Sequence, residues 1–342
     1  MFFVVSLSSQ TKLFYWQLTH STTPCSPLKG TFPLVSFVVT YHNETMALLQ
    51  ACLESIRSLP MAKGEAEVIV VDDGMTLSDS LLAEGERLIQ QEQAGLSVAR
   101  NTGIESCRGR YIQFVDADDC LIPSAYEAVL REVRKEEADV VLFKADPSPS
   151  PPRGSVRPPL TLHEGRLTAA KALPLGGDGE GSSSGSSFLL HRNLRAAACC
   201  YVFKRELLGD LRFHPGLLHE DELFTPLLFL RAEKLVEMKK KAYFYRQHAG
   251  TITHSQSPAM IQKRLDDIHY VIKTLHSLGN PVLERRIRQL TVDYLQKAWL
   301  LTRSRQEVRR RIGQLRAERF MPLPVRCYSL RYWLASLVLR VF

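Results

Sequence analysis

Tyr111-Ile-Gln-Phe-Val-Asp-Ala-Asp-Asp119 is an apolar run that leads directly into three carboxylates within four positions. The run predicts a buried strand, so the carboxylates lie at its end. Like charges at this spacing raise one another's pKa unless a cation or hydrogen bonds offset the cost. Mg²⁺ and Mn²⁺ take oxygen ligands, few of them from protein, and complete their shells with water and substrate phosphates. The stretch therefore predicts a divalent-metal site for a diphosphate substrate.

A second strand with an acidic end lies upstream. Val68-Ile-Val-Val71 is a continuous β-branched run, as in a strand covered on both faces of a parallel sheet, and Asp72-Asp73-Gly74 follows it. Residues 34–40 predict another strand, followed by a helical pattern with one apolar face. The alternation predicts an open doubly wound α/β sheet, in which ligands bind beyond the carboxyl ends of the strands. A lone Asp-Asp pair is more often a strand end or a helix cap, but two clusters at one edge favour a ligand site.

Four more segments of the chain carry recognisable motifs. They are Val35-Ser-Phe-Val-Val-Thr-Tyr-His-Asn-Glu44, Gly95-Leu-Ser-Val-Ala-Arg-Asn-Thr-Gly103, His219-Glu-Asp-Glu-Leu-Phe224 and Tyr243-Phe-Tyr-Arg246. With the two acidic strand ends, they make residues 34–255 resemble the family 2 glycosyltransferases, nucleotide-sugar-dependent enzymes common in bacterial surface-polysaccharide assembly. The resemblance implies the GT-A fold, a doubly wound, Rossmann-like mixed sheet flanked by helices.

The resemblance assigns the nucleotide to the first two strand ends. Asp73 matches the aspartate that hydrogen-bonds the base, and Thr40, His42 and Glu44 fall in the first loop, which walls the base. The family commonly has Pro and Tyr where this chain has Thr40 and His42, so an imidazole replaces a phenol. For His42, capping of the next helix is an equally weighted alternative.

Asp116, Ala117 and Asp118 match the family's Asp-X-Asp motif, which Asp119 extends. Residues i and i+2 of an extended segment share a face, so Asp116 and Asp118 address the same ligand. By resemblance, Asp116 faces the ribose or sugar, and Asp118 or Asp119 holds Mn²⁺ or Mg²⁺. Which of the two is the direct ligand stays open.

Arg100 and Asn101 match an Ala-Arg-Asn segment that the family places near the sugar-nucleotide pocket. Arginine suits a diphosphate by its geometry and permanent charge. The alternative for Arg100 is a pairing with one of the aspartates that holds the edge of the sheet together.

The reaction also needs a base. In a single displacement the acceptor hydroxyl attacks the anomeric carbon opposite the leaving diphosphate, so the configuration inverts. A carboxylate must take the hydroxyl proton, whereas a metal stabilises the leaving diphosphate. Asp221 matches the family's base, and Glu220 is the second candidate. N-capping of a helix predicted over residues 223–232 is the structural alternative.

Composition predicts three regions along the chain. Residues 1–32 are expected to be a poorly ordered extension, residues 33–255 a catalytic domain and residues 256–342 a helical basic region. Within the catalytic domain, a flexible Pro-, Gly- and Ser-rich loop (146–190) joins a nucleotide-sugar half (33–145) to an acceptor half (191–255). The first residues lack the features of a signal peptide. Seven cysteines without a paired Cys-X-X-Cys motif predict neither a disulfide framework nor a zinc site, as expected of a cytoplasmic protein.

The positive charge is concentrated near the C-terminus. Residues 303–340 hold ten arginines against Glu307 and Glu318, so their net charge of +8 equals that of the whole chain. Residues 329–342 mix arginine with bulky apolar groups and are too short to span a bilayer. They predict a helix on anionic lipid, with packing on the helix's own domain as an equally weighted alternative. A nucleic-acid partner is disfavoured, because no nucleic-acid motif accompanies the charge.

These features predict an inverting, metal-dependent glycosyltransferase that moves a sugar from a nucleoside diphosphate, expected to be UDP, to a lipid-linked saccharide or polysaccharide acceptor. Its expected role is cell-surface glycan synthesis, such as lipopolysaccharide or capsule, on the inner face of the cytoplasmic membrane. A nucleotidyltransferase is disfavoured, because no Gly-rich, Lys-bearing phosphate loop lies near the first strand. An inactive binding partner in a polysaccharide-assembly complex would have eroded acidic motifs, and all of them are intact.

Overall fold

The computed structural model describes residues 32–147, 181–246 and 257–339. The predictions for the N-terminal extension and for most of the loop therefore fall outside the described residues. At its C-terminal end the predicted loop differs from the structure, because strand β7 (Gly181–Ser183) and helix α4 (Gly185–His191) are formed there. Glycine is needed at position 185, since a Cβ atom would lie 1.9 Å from the Phe229 carbonyl oxygen.

Four parallel strands form the first half of the sheet. They are β1 (Val35–Tyr41), β2 (Ala66–Asp73), β3 (Arg87–Gln91) and β4 (Tyr111–Asp116), in the spatial order β3-β2-β1-β4. Alternate residues of β1 enter two different cores, Val38 on one face and Phe37 and Val39 on the other. Burial on both faces explains why this strand is a continuous apolar run.

The second half of the sheet mixes strand directions. Strand β8 (Tyr201–Lys204) is antiparallel to β4, and β6 (Val140–Asp146) is antiparallel to β8. Strand β9 (Leu235–Phe244) is parallel to β6 and also pairs with β5 (Cys120–Leu121) and β7. In the described residues the result is a nine-stranded mixed sheet of an α/β protein, so the predicted fold class is confirmed.

The strand register brings the predicted site together. Strand β1 aligns Thr40 with Val71 of β2 on one side and with Asp116 of β4 on the other. The two acidic strand ends therefore lie at the same edge of the sheet, as the sequence predicted. Helices α1 (Met46–Arg57), α2 (Leu96–Ser106), α3 (Pro123–Arg134) and α5 (Asp221–Leu230) belong to the same domain.

Four further helices form the C-terminal region, and they pack into the protein. They are α6 (Pro258–Ser277), α7 (Glu284–Thr302), α8 (Arg305–Ala317) and α9 (Leu330–Val338). The main core includes six side chains from beyond Thr302, namely Ile312, Leu315, Phe320, Met321, Leu323 and Tyr332. Side chains of both α8 and α9 therefore pack on the protein, and contact of α9 with lipid stays a prediction. No helix of the described residues has the length and apolarity needed to cross a membrane.

One arginine of the basic region is a core residue. Arg311 is 1 % exposed, its Nη1 donates to the Tyr294 hydroxyl at 2.6 Å, and its Nε donates to Glu307 Oε1 at 2.7 Å. The hydrogen bonds from Arg310 and the charge of Arg311 lower the pKa of Glu307 to about 2. A count of arginines in the sequence therefore overstates the charge available on the surface.

Replacing this buried cation should weaken the fold. Arg311→Ala is expected to lower the free energy of unfolding by about 2–4 kcal/mol, because it removes buried hydrogen bonds and leaves Tyr294 without its donor. The exposed Arg309→Ala on the same helix should change it by about 0.5 kcal/mol or less. Urea denaturation measures both variants, and equal effects would show that Arg311 is not a core residue in solution.

Candidate active site

A buried arginine joins the two acidic motifs. Arg100 on α2 is 3 % exposed; its Nη1 donates to Glu220 Oε1 at 2.7 Å and its Nη2 to Asp116 Oδ1 at 3.0 Å. The guanidinium carbon lies 5.8 Å from the ring centre of Phe114 and 5.3 Å from that of Phe213. Burial lowers the pKa of Arg100, but the charges of Asp116 and Glu220 outweigh it. The structure thus contains the pairing proposed as the alternative for Arg100, and a phosphate contact stays a prediction.

Asn101 connects α2 with Phe213, in the segment that the sequence predicted as the acceptor half. Its Oδ1 accepts from the Phe213 backbone N–H at 2.9 Å, and its Nδ2 donates to the Phe213 carbonyl at 2.9 Å. Both polar ends of the amide are therefore engaged with one residue. The sequence did not indicate this role, because it depends on a partner 112 positions away. A contact with the sugar nucleotide stays a prediction for Asn101.

Asp221 and its neighbour Glu220 have different hydrogen-bond partners. Glu220 is 5 % exposed and bound to Arg100, whereas Asp221 Oδ2 accepts from the Ala198 backbone N–H at the longer distance of 3.4 Å. Burial, helped by the charge of Glu220, raises the pKa of Asp221 to about 7, although Arg100 acts against this rise. A carboxyl group that titrates near neutral pH is suited to accept a proton from a substrate.

The aspartates of the Asp-X-Asp stretch lie in different surroundings. Asp119 is 1 % exposed, and it accepts from the Tyr243 hydroxyl at 2.8 Å and from the Arg246 backbone N–H at 2.7 Å. Burial, followed by the charges of Asp116 and Asp118, raises the pKa of Asp119 well above its usual range. Asp118 is more accessible, and its carbonyl accepts from Arg246 Nε at 2.9 Å.

The donor set fits a hard divalent cation that shares its ligands with a substrate. Among the described residues, no three His, Cys, Asp or Glu side chains converge to hold a metal ion by themselves. Mg²⁺ commonly uses one or two carboxylates plus substrate phosphates, so a complete protein cage is not required. Asp118 is the more accessible candidate, and Asp119 retains acceptor capacity because each carboxylate oxygen has two lone pairs.

Tyr243 is a site residue that the sequence analysis named only as part of a motif. Its hydroxyl accepts from the Asp116 backbone N–H at 3.1 Å and donates to Asp119. The tyrosine lies on β9, 127 positions from Asp116, so no local pattern could have predicted the contact. It fixes the end of β4 against β9 and so helps to hold the acidic stretch in place.

Asp73 is enclosed by donors of its own chain. It is 3 % exposed; its Oδ1 accepts from Gln91 Nε2 and the Ala94 N–H, each at 2.7 Å, and its Oδ2 accepts from the Gly95 N–H at 2.8 Å. The carboxylate therefore fastens the start of α2 to the end of β2. Hydrogen bonding to a nucleotide base stays a prediction for this residue.

His42 lies in the first loop beside Asp73. Its Nδ1 lies 2.5 Å from the Asp73 carbonyl, and its Nε2 lies 3.1 Å from Asn43 Nδ2 and 3.2 Å from Gln93 Nε2. Two amide donors at Nε2 make that atom the acceptor, so we assign the proton to Nδ1. The side chain of His42 thus joins the first two loops instead of capping α1, whose N-cap is Thr45.

The other residues predicted for this loop, Thr40 and Glu44, lie beside His42. The backbone N–H of His42 donates to Glu44 Oε2 at 2.5 Å, and burial raises the pKa of Glu44. Thr40 is 7 % exposed and lies between β2 and β4. Thr40, His42, Glu44 and Asp73 are therefore assembled at one edge of the sheet, next to Asp116.

Known proteins resemble this chain in sequence and in fold. The family model "Glycosyl transferase family 2" matches residues 36–194. Glycosyltransferase GlyG of Streptococcus pneumoniae is 26 % identical over 284 residues, which cover 77 % of this chain and 88 % of that one. The uncharacterized glycosyltransferase YibD of Escherichia coli is 25 % identical over 273 residues, with 76 % and 72 % covered.

A solved structure extends the comparison to the fold. The crystal structure of S. aureus TarS residues 1–349 in complex with UDP-GlcNAc aligns with a TM-score of 0.57 at 18 % identity, covering 89 % of this chain and 79 % of that one. The chain shares the fold of that structure, so the GT-A fold implied by the resemblance is confirmed. The family model that matches residues 36–194 and the glycosyltransferase relatives confirm the resemblance to the family 2 glycosyltransferases that the sequence predicted.

The raised pKa of Asp221 has a measurable effect on stability. A carboxyl group whose pKa is 3.8 in the unfolded chain and about 7 in the folded one destabilises the fold progressively as pH rises through that interval. Asp221→Asn cannot ionise, so it should raise the melting temperature relative to the unmodified protein more at pH 8 than at pH 4. Differential scanning calorimetry at both pH values tests this, and a pH-independent difference would mean that Asp221 titrates normally.

Proposed function

We propose that this protein is an inverting, metal-dependent glycosyltransferase that transfers a sugar from UDP to a lipid-linked saccharide or polysaccharide in cell-surface glycan synthesis. The observation that carries the proposal is the position of Asp221. Its carboxyl group titrates near pH 7 beside Glu220, and Glu220 shares Arg100 with Asp116 of the donor motif. A base and a donor site joined by one buried cation suit a single displacement between two substrates.

UDP is the proposed nucleotide of the donor. The support is a structural neighbour whose crystal structure contains UDP-GlcNAc. In this chain Thr40, His42 and Glu44, at the end of β1 and in the loop after it, are the proposed contacts of the base. Asp116 would then face the ribose or the sugar, because it lies at the end of β4 next to Thr40.

Asp118, with Asp119 beside it, is the proposed holder of Mn²⁺ or Mg²⁺, which when bound would neutralise the departing diphosphate. Asp221 takes the proton of the acceptor hydroxyl as the oxygen attacks the anomeric carbon. Glu220 is paired with Arg100 and does not act as the base, so the two neighbouring carboxylates have separate roles. Because attack and departure occur on opposite faces, the configuration inverts.

A membrane surface is the proposed location of the acceptor. Leu330, Leu334, Leu337 and Val338 of α9 are 73, 49, 39 and 54 % exposed, and their spacing places them on one face of the helix. The buried side of α9 carries Tyr332 and Ser336. Eight arginines of this region are exposed, namely Arg303, Arg305, Arg309, Arg310, Arg316, Arg319, Arg326 and Arg331. An apolar stripe with cations around it suits anionic lipid on the inner face of the cytoplasmic membrane.

The experiment that tests the function is a screen of UDP-sugars for release of UDP. With the sugar that is used, Asp221→Asn should reduce turnover by roughly a hundredfold or more while donor affinity is nearly unchanged, since it removes only the base. The exposed Asp266→Asn on α6 is the matched control and should behave as the unmodified protein. Near-normal turnover of Asp221→Asn would reject Asp221 as the base, and no release from any nucleotide sugar would reject the proposed reaction.

Donor binding should depend on the metal. UDP affinity measured by calorimetry with Mn²⁺ should fall at least tenfold in EDTA, because the diphosphate then meets the acidic stretch without a cation. Asp118→Ala should have a similar effect in the presence of Mn²⁺, whereas Asp79→Ala, at an exposed site, should have none. Equal affinity with Mn²⁺ and with EDTA would remove the basis for a metal site.

Membrane binding should require the outer face of α9. The double change Leu334→Asp and Val338→Asp should abolish cosedimentation with anionic liposomes without unfolding the protein, because both side chains are exposed. Leu278→Asp, at an exposed leucine after α6, is the control. High salt should weaken binding by the unmodified protein. Cosedimentation that survives the double change would assign the stripe to a protein contact.

A further inference from the structure

The segment that leads to Asp221 has both of its ends at one cation. Phe213 precedes the segment, and its ring centre lies 5.3 Å from the guanidinium carbon of Arg100. Glu220 follows the segment, and its Oε1 accepts from Arg100 Nη1 at 2.7 Å. We refer to residues 214–219 as the 214–219 loop. Because Asp221 is the first residue of α5, the path of this loop determines how the chain enters that helix.

One face of α6 supports the middle of the 214–219 loop. Asp267 is 8 % exposed, and its Oδ2 accepts from the backbone N–H of Leu218 at 2.9 Å. Lys263 Nζ donates to both oxygens of Asp267, at 3.0 and 2.9 Å, and to the Gly216 carbonyl at 2.7 Å. These contacts engage all three N–H donors of the ammonium. Two opposite charges one helical turn apart therefore hold the backbone of the loop.

A third residue on the same face of α6 contacts the start of the loop. The hydroxyl of Tyr270 lies 3.0 Å from His214 Nε2, and His214 Nδ1 lies 2.8 Å from the Pro215 carbonyl. A carbonyl oxygen only accepts, so we assign the proton to Nδ1, and Nε2 accepts from the tyrosine hydroxyl. Residues i, i+4 and i+7 share one face of a helix, so α6 contacts the loop at three points.

The start of α5 depends on contacts with other elements. Among the described residues, its N-cap Glu220 forms no capping hydrogen bond with its side chain, which is bonded to Arg100 instead. An N-cap side chain usually accepts from a backbone N–H of the first turn and so fixes the beginning of a helix. Here the nearest side-chain contact before the N-cap is the bond of Asp267 to Leu218, three positions ahead of Asp221.

We propose that Lys263 and Asp267 are positioning residues for the catalytic base, so that α6 is a part of the catalytic machinery. The inference rests on the proposed function, in which Asp221 takes the proton of the acceptor hydroxyl. Asp267 acts through the backbone of the 214–219 loop and does not touch the substrates. The family model ends at residue 194 and the last sequence motif at residue 246, so neither includes α6.

The first experiment measures release of UDP from the sugar nucleotide that the unmodified protein uses. Asp267→Ala should lower kcat about tenfold or more, because a small displacement of a catalytic group is costly, while KM for the donor stays within about twofold. Asp267→Asn retains an oxygen that accepts from Leu218 N–H, so its kcat should recover to within about threefold of the unmodified value. Asp266→Ala is the matched control, because Asp266 on the same helix is exposed and bonded to Gln262.

All variants are assayed at a temperature at which circular dichroism shows them to be folded. Lys263→Met, at an exposed side chain, provides the same test if Asp267→Ala does not fold. It removes the bond to Gly216 and one charge of the pair, so kcat should again fall with little change in KM for the donor. Its control remains Asp266→Ala.

The pH dependence of kcat separates positioning from a general loss of stability. Burial raises the pKa of Asp221 to about 7, and the charged groups that act on it are Glu220, Arg100 and Glu222, which Asp267→Ala leaves in place. A loosened loop admits water to Asp221, so the pKa should fall and the acidic limb of the profile should move to lower pH. Loss of folded protein would lower kcat at every pH and leave the midpoint unchanged.

Hydrogen exchange tests the contact without any reaction. Amides of residues 214–222 should exchange about tenfold faster in Asp267→Ala than in the unmodified protein, because Leu218 N–H loses its acceptor, and Asp266→Ala should show no change. Normal kcat of Asp267→Ala, an acidic limb that does not move, or unchanged exchange would overturn the inference. If no nucleotide sugar releases UDP, the proposed reaction is rejected, and the exchange rates still decide whether α6 holds the loop. Activity lost in Asp221→Asn but normal in Asp267→Ala would reject the positioning role alone.

Discussion

The buried guanidinium of Arg100 is the interaction on which the rest of the site depends. Phe114 and Phe213 shield it from water, so its charge must be balanced by Asp116 and Glu220. Removing one partner of a buried ion pair leaves the other charge uncompensated, which is more costly than the pair itself. The end of β4 and the start of α5 are therefore held at a fixed separation. In the proposed function, that separation sets where a donor at Asp116 would lie relative to Asp221.

Burial divides the acidic residues into two groups. Asp73, Asp119 and Glu220 are at most 5 % exposed and hydrogen-bonded to donors of the protein, so they fix loops and strand ends. Asp118 and Asp221 are more accessible and lie next to those fixed points. Carboxylates that bind substrate need an immobile setting, because the alignment of two substrates is itself a large part of catalysis. In the proposed function, Asp221 therefore has a different role from its neighbour Glu220.

The sequence predicted the features that depend on residues close together in the chain, and it did not predict contacts between residues far apart in the chain. The strands β1, β2 and β4 and their shared acidic edge were predictable, because apolar runs and parallel pairing are local or regular properties. The contacts of Tyr243 with Asp119 and of Arg100 with Glu220 were not, since they join positions 124 and 120 residues apart. Composition misled in two places. Gly185 serves close packing in a region predicted as a loop, and Arg311 is a core residue in a region read as surface charge.

The C-terminal helices connect the proposed acceptor surface with the base. Helix α8 packs on α7 through the buried contact of Arg311 with Tyr294, and Arg286 of α7 forms an ion pair with Glu222 of α5. Helix α9 is joined to α7 by the ion pair of Arg331 with Asp293, while its apolar stripe faces outward. Contacts through α7 therefore connect the helix that has the outward apolar face with the helix that begins at Asp221. In the proposed function, a lipid-linked acceptor at this surface presents its saccharide to Asp221 from the side opposite the donor, as inversion requires.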